Sequence, residues 1–87
     1  MHKPNLPLTP RKRRAQQAPR VLRIYGVDYY IRWNQLHPGC SFFLKTTASA
    51  KYVMKLLAKS IQATGYVLKA QNRCEFGYYG VRVWRIA

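Results

Sequence analysis

Three lysines, Lys51, Lys55 and Lys59, recur at every fourth position of "SAKYVMKLLAKSIQAT", and four cations stand side by side at Arg11, Lys12, Arg13 and Arg14. Neither pattern does nucleophilic or acid–base chemistry. Ammonium and guanidinium groups at this density neutralise phosphates or other anions. Like charges four apart on a helix repel one another, and this stretch has no Asp or Glu to offset them. Arg20 closes the N-terminal basic segment. Lys69, Arg73, Arg82 and Arg85 form a further group toward the C-terminus, with Trp84 between the last two arginines.

The acidic side of the ledger is almost empty. Sixteen Lys/Arg face only Asp28 and Glu75, a net charge of +14 on 87 residues. Such a chain repels itself unless a polyanion neutralises it, and nucleic acid is the usual polyanion for a basic chain. The two carboxylates are 47 positions apart, which argues against an enzyme built on paired acids. His37 and Cys40 in "HPGC" have the spacing of half a zinc site, but no second close pair completes it. No acid follows His37 to orient an imidazole toward Cys40. The expectation is a non-enzymatic protein with no metal and no cofactor, in which Cys40 is a small buried thiol beside a turn.

Positioning elements follow from composition. Residues 1–20 hold four of the five prolines, six of the sixteen cations, no aromatic and no acid. They read as a disordered basic arm, too polar to bury itself. All twelve aromatics lie at or after Tyr25, so residues 21–87 are expected to form a single domain. In "VLRIYGVDYYIRW", Gly26 marks a turn or bulge between two short strands, and Val27, Tyr29, Ile31 and Trp33 share a face at period two. "HPGC" is a turn and "SFFLK" a strand. Residues 47–64 predict a helix whose apolar face is Ala50, Val53, Met54, Leu57 and Ile61, with Thr46 or Thr47 as N-cap and Gly65 past its end. "YVLKAQNR" and "GVRVWRI" predict two strands, with Gly77 and Gly80 supplying turn conformations between them. The predicted fold is α+β: a small antiparallel sheet in the order β-β(-β)-α-β-β, with one amphipathic helix packed on it.

The last strand admits two facings. With Val81 and Val83 inward, Arg82 and Trp84 share an outer face with Lys69, Gln71 and Arg73, a surface suited to phosphates and to a stacked base. The reverse facing buries Trp84 and Ile86. A tryptophan in so small a core more often packs than stacks, so packing is the expectation for Trp84 and stacking the alternative.

"LHPGCSFFL" and, some forty residues later, "GVRVWRIA" resemble a group of short bacteriophage proteins with a "PG-x-SFF" turn and strand, a central helix and a terminal "G-x-RVWRI". Pro38, Gly39, Ser41, Phe42 and Phe43, then Gly80, Arg82, Val83, Trp84, Arg85 and Ile86, carry the resemblance, which spans about residues 33–86. That group usually has an acidic residue where Cys40 stands. The resemblance implies a phage setting and a bacterial host cytoplasm, and it transfers no functional residue. It also implies a rival function, since many small phage proteins bind and inhibit or redirect a host polymerase, nuclease or defence protein.

The charge pattern leads to a nucleic-acid-binding protein of weak sequence preference. Its phosphate contacts are expected from Arg11, Lys12, Arg13, Arg14 and Arg20 in the arm, Lys51, Lys55 and Lys59 on the helix, and Lys69, Arg73, Arg82 and Arg85 on the hairpin. Eight such contacts on duplex DNA would give a slope of log K against log salt near about −7. Membrane association through the helix is weaker, because its apolar face has no Trp or Phe. A marginal core and an exposed hairpin are compatible with a homodimer. Two free cysteines and no apolar h-region fit a reducing cytoplasm.

Overall fold

The computed structural model describes residues 18–87. The arm cations Arg11, Lys12, Arg13 and Arg14 therefore lie outside the described residues. Strands β1 (Val21–Ile24) and β2 (Val27–Tyr30) are followed by a 3-10 turn (Trp33–Gln35) and β3 (Ser41–Lys45). Helical segments α1 (Ala50–Leu56) and α2 (Ala58–Thr64) precede β4 (Leu68–Glu75) and β5 (Tyr78–Arg85). The α+β class holds. The strands form two antiparallel sheets: a β1–β2 hairpin and a three-stranded sheet in the order β3-β5-β4.

Both hairpins turn on an aromatic–glycine pair. Tyr25 and Gly26 have φ of 51° and 80°, and Phe76 and Gly77 have φ of 55° and 78°. Two successive positive φ values are the signature of a type I′ turn, whose twist matches that of the strands it joins. Gly is at ease there; an aromatic residue is strained by about 1 kcal/mol. Tyr25 has a partner, stacking on Tyr52 with centroids 5.6 Å apart. Gly80, expected in a turn, instead sits inside β5. A Cβ there would overlap the Leu44 carbonyl oxygen and the Phe43 ring, so its absence lets Phe43 lie across the sheet.

The predicted helix is interrupted. Leu57 leaves ideal helical geometry at φ −83° and ψ −2°, yet Leu57 N–H donates to the Val53 carbonyl and Ile61 N–H to the Leu57 carbonyl. The axis therefore carries through, and the lysine spacing survives. Ser49 is the N-cap, its Oγ accepting from Tyr52 N–H at 3.1 Å. Thr46, one of the two residues expected in that role, closes a turn by accepting from Ala48 N–H. Gly65 ends the helix in the left-handed conformation, as the spacing predicted.

Val53 and Leu57 are fully buried against Val81 and Val83, in one core that also holds Leu22, Ile24, Ile31, Trp33, Leu36 and Leu44. Each such side chain contributes roughly 1.5–3 kcal/mol over leaving it in water. Trp33 is the core tryptophan. Its indole N–H donates to the Pro19 carbonyl at 2.8 Å, and Phe42 and Tyr66 meet its ring edge-on. Ile31 N–H also donates to the Arg20 carbonyl. These bonds fasten Pro19 and Arg20, the last two residues of the segment read as an arm, to the domain. No helix among the described residues is long and apolar enough to cross a membrane.

Candidate functional site

Burial of Val81 and Val83 settles the facing of β5. Residues alternate across a strand, so Tyr78, Gly80, Arg82 and Trp84 belong to the face turned away from the helices. Register completes the surface row by row: Ser41–Trp84–Lys69, then Phe43–Arg82–Gln71, then Lys45–Gly80–Arg73, and Tyr78 beside Glu75 at the tip. The helices and the β1–β2 hairpin cover the other side, since Leu22, Ile24, Val53 and Leu57 all join Val81 and Val83 in one cluster. Trp84 is half-buried on the outer face and stands apart from that core. Packing in the core was the expectation for it. Trp33 fills that role instead, because its position after β2 places it between the sheet and Tyr66.

One carboxylate organises the outer face. Glu75 accepts from Arg82 Nε and Nη2, both at 2.7 Å, and pairs with Arg73, whose Nε lies 3.0 Å from the carboxylate. Arg82 Nη1 also donates to Ser41 Oγ at 2.7 Å, so its guanidinium bridges all three strands. The Arg82 hydrogen bond holds the Glu75 carboxyl below the ordinary carboxylate range; partial burial opposes this, and the charges of Arg82 and Arg73 add to it. In return Glu75 keeps Arg82 protonated still more firmly than a free guanidinium. The cluster of two arginines and one glutamate carries a net single positive charge. Lys45 and Lys69 bring the face to three.

Aromatic rings aim those cations. Lys45 Nζ lies 3.8 Å from the Tyr78 ring centre, the Arg73 guanidinium 5.9 Å from that of Trp84, and the Arg82 guanidinium 5.6 Å from that of Phe43. Such contacts hold a cation over a ring face at modest gain when exposed to solvent. The result is a sheet face with three rings and an excess of positive charge, a combination suited to phosphate contact and base stacking.

The remaining expected residues fall elsewhere. Lys51, Lys55 and Lys59 are all exposed on the helix, on the opposite side of the sheet, with no acidic partner among the described residues. Arg85 belongs to the inner parity. Its Nη1 donates to the Leu36 carbonyl at 2.8 Å while the guanidinium lies 3.6 Å from the Tyr66 ring centre, so it ties the 3-10 turn to the sheet. Arg20 is exposed beside the start of β1. The four hairpin cations therefore do not form one surface: Lys69, Arg73 and Arg82 share a face and Arg85 leaves it. Asp28, the other acid, is taken up by its cross-strand neighbour Arg23 at 2.7 Å, whose hydrogen bond holds the carboxyl low.

Three residues outside the expected set matter to this geometry. Phe43 and Lys45 extend the face onto β3. Asn72 fastens the helix to the hairpin, its Oδ1 accepting from Ala50 N–H and its Nδ2 donating to the Ala48 carbonyl. Cys40 and Cys74 are free and exposed, so Cys40 is not the buried thiol expected beside the turn; Pro38 and Gly39 carry it to the surface, Gly39 with φ 91°. No trio of His, Cys, Asp and Glu gathers among the described residues. A concavity of about 560 Å³ runs between β2 and β3 and is lined by Tyr30, Arg32, Gln35 and Phe43 among others. Compared with known proteins, the chain matches no family model, no curated protein and no solved structure.

Proposed function

We propose that the protein is a non-enzymatic nucleic-acid-binding protein, working in a bacterial host cytoplasm, whose cations contact phosphates with little sequence preference. The observation that carries this reading is the fate of the two acids. Asp28 and Glu75 are both consumed by arginines, so they leave Lys45, Lys51, Lys55, Lys59 and Lys69 without any acidic partner among the described residues. Weak base readout follows from the absence, among the described residues, of Asn, Gln and Arg together on an exposed helix face. Fluorescence anisotropy with duplex DNA, single-stranded DNA and RNA tests it. Saturable binding that weakens linearly in log salt is expected, and a flat signal with all three at low salt refutes it.

A second reading is supported by a different observation. Tyr30, Phe76 and Tyr79 are 78%, 84% and 76% exposed, and exposed aromatics beside arginines are the usual anchors of protein interfaces. In that case the chain is an effector that docks on an acidic surface of a host protein. A pull-down from nuclease-treated host lysate separates the two: a stoichiometric protein partner that survives nuclease favours the effector, and loss of every partner favours nucleic acid.

A further inference from the structure

We infer that the outer face of the β3-β5-β4 sheet is a track for single-stranded nucleic acid, running along β5 from Trp84 to the hairpin tip at Phe76 and holding unpaired bases by stacking. This rests on the nucleic-acid reading and narrows it to one strand state and one side of the molecule.

Two independent observations carry it. The first is the arrangement of the face. Trp84 and Tyr78 lie six residues apart on the same side of one strand, about 20 Å at the rise of an extended chain. Phe43 fills the gap between them, lying over Gly80. Lys69 and Arg73 border this line on β4 and Lys45 borders it on β3, so phosphates have cations on either side of a run of rings. A single strand takes up at least about 3.4 Å per nucleotide, so the line holds no more than roughly six. Bases in a duplex are already stacked on their neighbours, whereas the bases of a single strand are free to lie on protein rings.

The second is Phe76. It stands at the end of that line, 84% exposed, with a backbone φ of 55° that a bulky side chain rarely adopts. The equivalent residue of the other hairpin, Tyr25, lies against Tyr52, but Phe76 has no aromatic partner among the described residues. An Asn or Gly would make the same turn with less strain. Strain and exposure kept together at a tip beside a basic, ring-lined face identify Phe76 as a stacking side chain for the terminal base.

Intrinsic fluorescence reads the track directly, because Trp33 is buried and Trp84 is the tryptophan a base would reach. The full chain is titrated with short homothymidine and homouridine strands and with a duplex of equal length. The single strands should quench the emission and bind at least about fivefold more tightly than the duplex. Trp84→Phe should keep most of the affinity and lose the quenching. Phe76→Ala should weaken single-strand binding about fivefold and leave duplex binding unchanged, and Trp84→Ala should weaken it more, about tenfold. Phe76→Ala is a surface change at a turn, so it remains decisive if Trp84→Ala does not fold. Equal affinity for both strand states, or Phe76→Ala and Trp84→Ala variants that bind single strands like the parent chain, overturns the track while leaving phosphate binding intact. Failure to bind any of the oligonucleotides overturns the function reading as well.

Discussion

The helix and the outer sheet face carry the same kind of charge in opposite ways. Lys51, Lys55 and Lys59 stand exposed, with no cation–π contact and no acidic partner among the described residues. On the sheet, every cation but Lys69 is held: Lys45 by Tyr78, Arg73 by Trp84 and Glu75, Arg82 by Phe43, Glu75 and Ser41. The helix offers a diffuse field that raises the encounter rate with any polyanion. The sheet offers fixed donors beside rings, where little ordering remains to be done when a ligand arrives. Because the two surfaces lie on opposite sides of the core, one short ligand cannot engage both. The slope of about −7 expected from eight contacts on one duplex is therefore too steep for either surface alone; three net charges on the sheet give about −2 with a single strand.

The comparison breaks most visibly at Gly80. Gly80→Ala drives a methyl group into the Leu44 carbonyl and the Phe43 ring, and a loss of about 2–3 kcal/mol is expected, read as a fall in thermal midpoint of more than about 8 °C. An unchanged midpoint would mean that Phe43 does not lie where the face requires it. Next in size is the combined change Lys45→Gln, Lys69→Gln and Arg73→Gln. It should flatten the single-strand salt slope by about 2, while Lys51→Gln, Lys55→Gln and Lys59→Gln together leave that slope as it was. Equal effects from the two triple variants would merge the surfaces into one.

Smaller effects concern stability. Phe76→Asn should stabilise the hairpin by about 0.5–1 kcal/mol by relieving the positive φ, so denaturant midpoint and single-strand affinity move in opposite directions. The helix triple should itself be slightly more stable than the parent, by about 0.2–0.5 kcal/mol for each like-charge pair removed. Glu75 sets the direction of acid sensitivity. Its carboxyl titrates lower in the folded chain than in the unfolded one, so its contribution is complete above the ordinary carboxylate range and fades as pH falls through its depressed value. Glu75→Gln should show a shallower loss of stability on that acid limb in a melting series.

Much of this geometry is legible in the amino-acid sequence. The Gly26 turn, the Pro38–Gly39 turn, the helix face of Val53, Leu57 and Ile61, and the Gly65 stop all follow from local chemistry that tertiary packing does not override. The facing of β5 did not follow, because "VRVW" alternates acceptably in both directions and only packing against Val53 and Leu57 selects one. Gly80 read as a turn for the same reason: a glycine needed for a close cross-strand approach looks, in one dimension, like a glycine needed for a bend. Arg82 and Arg85 are three apart in sequence and carry the same charge, yet strand parity sends one to Glu75 and the other to the Leu36 carbonyl. The separation of β1–β2 from the main sheet was equally hidden, since strand pairing over such distances is set by the core and not by neighbours in the chain.

The most direct test of the central claim is an anisotropy titration of the full chain against a labelled single strand through a salt series. Saturable binding at low salt, with a slope set chiefly by Lys45, Lys69 and Arg73, is the predicted result. No rise in anisotropy at the lowest salt, with single strand, duplex or RNA, would contradict it.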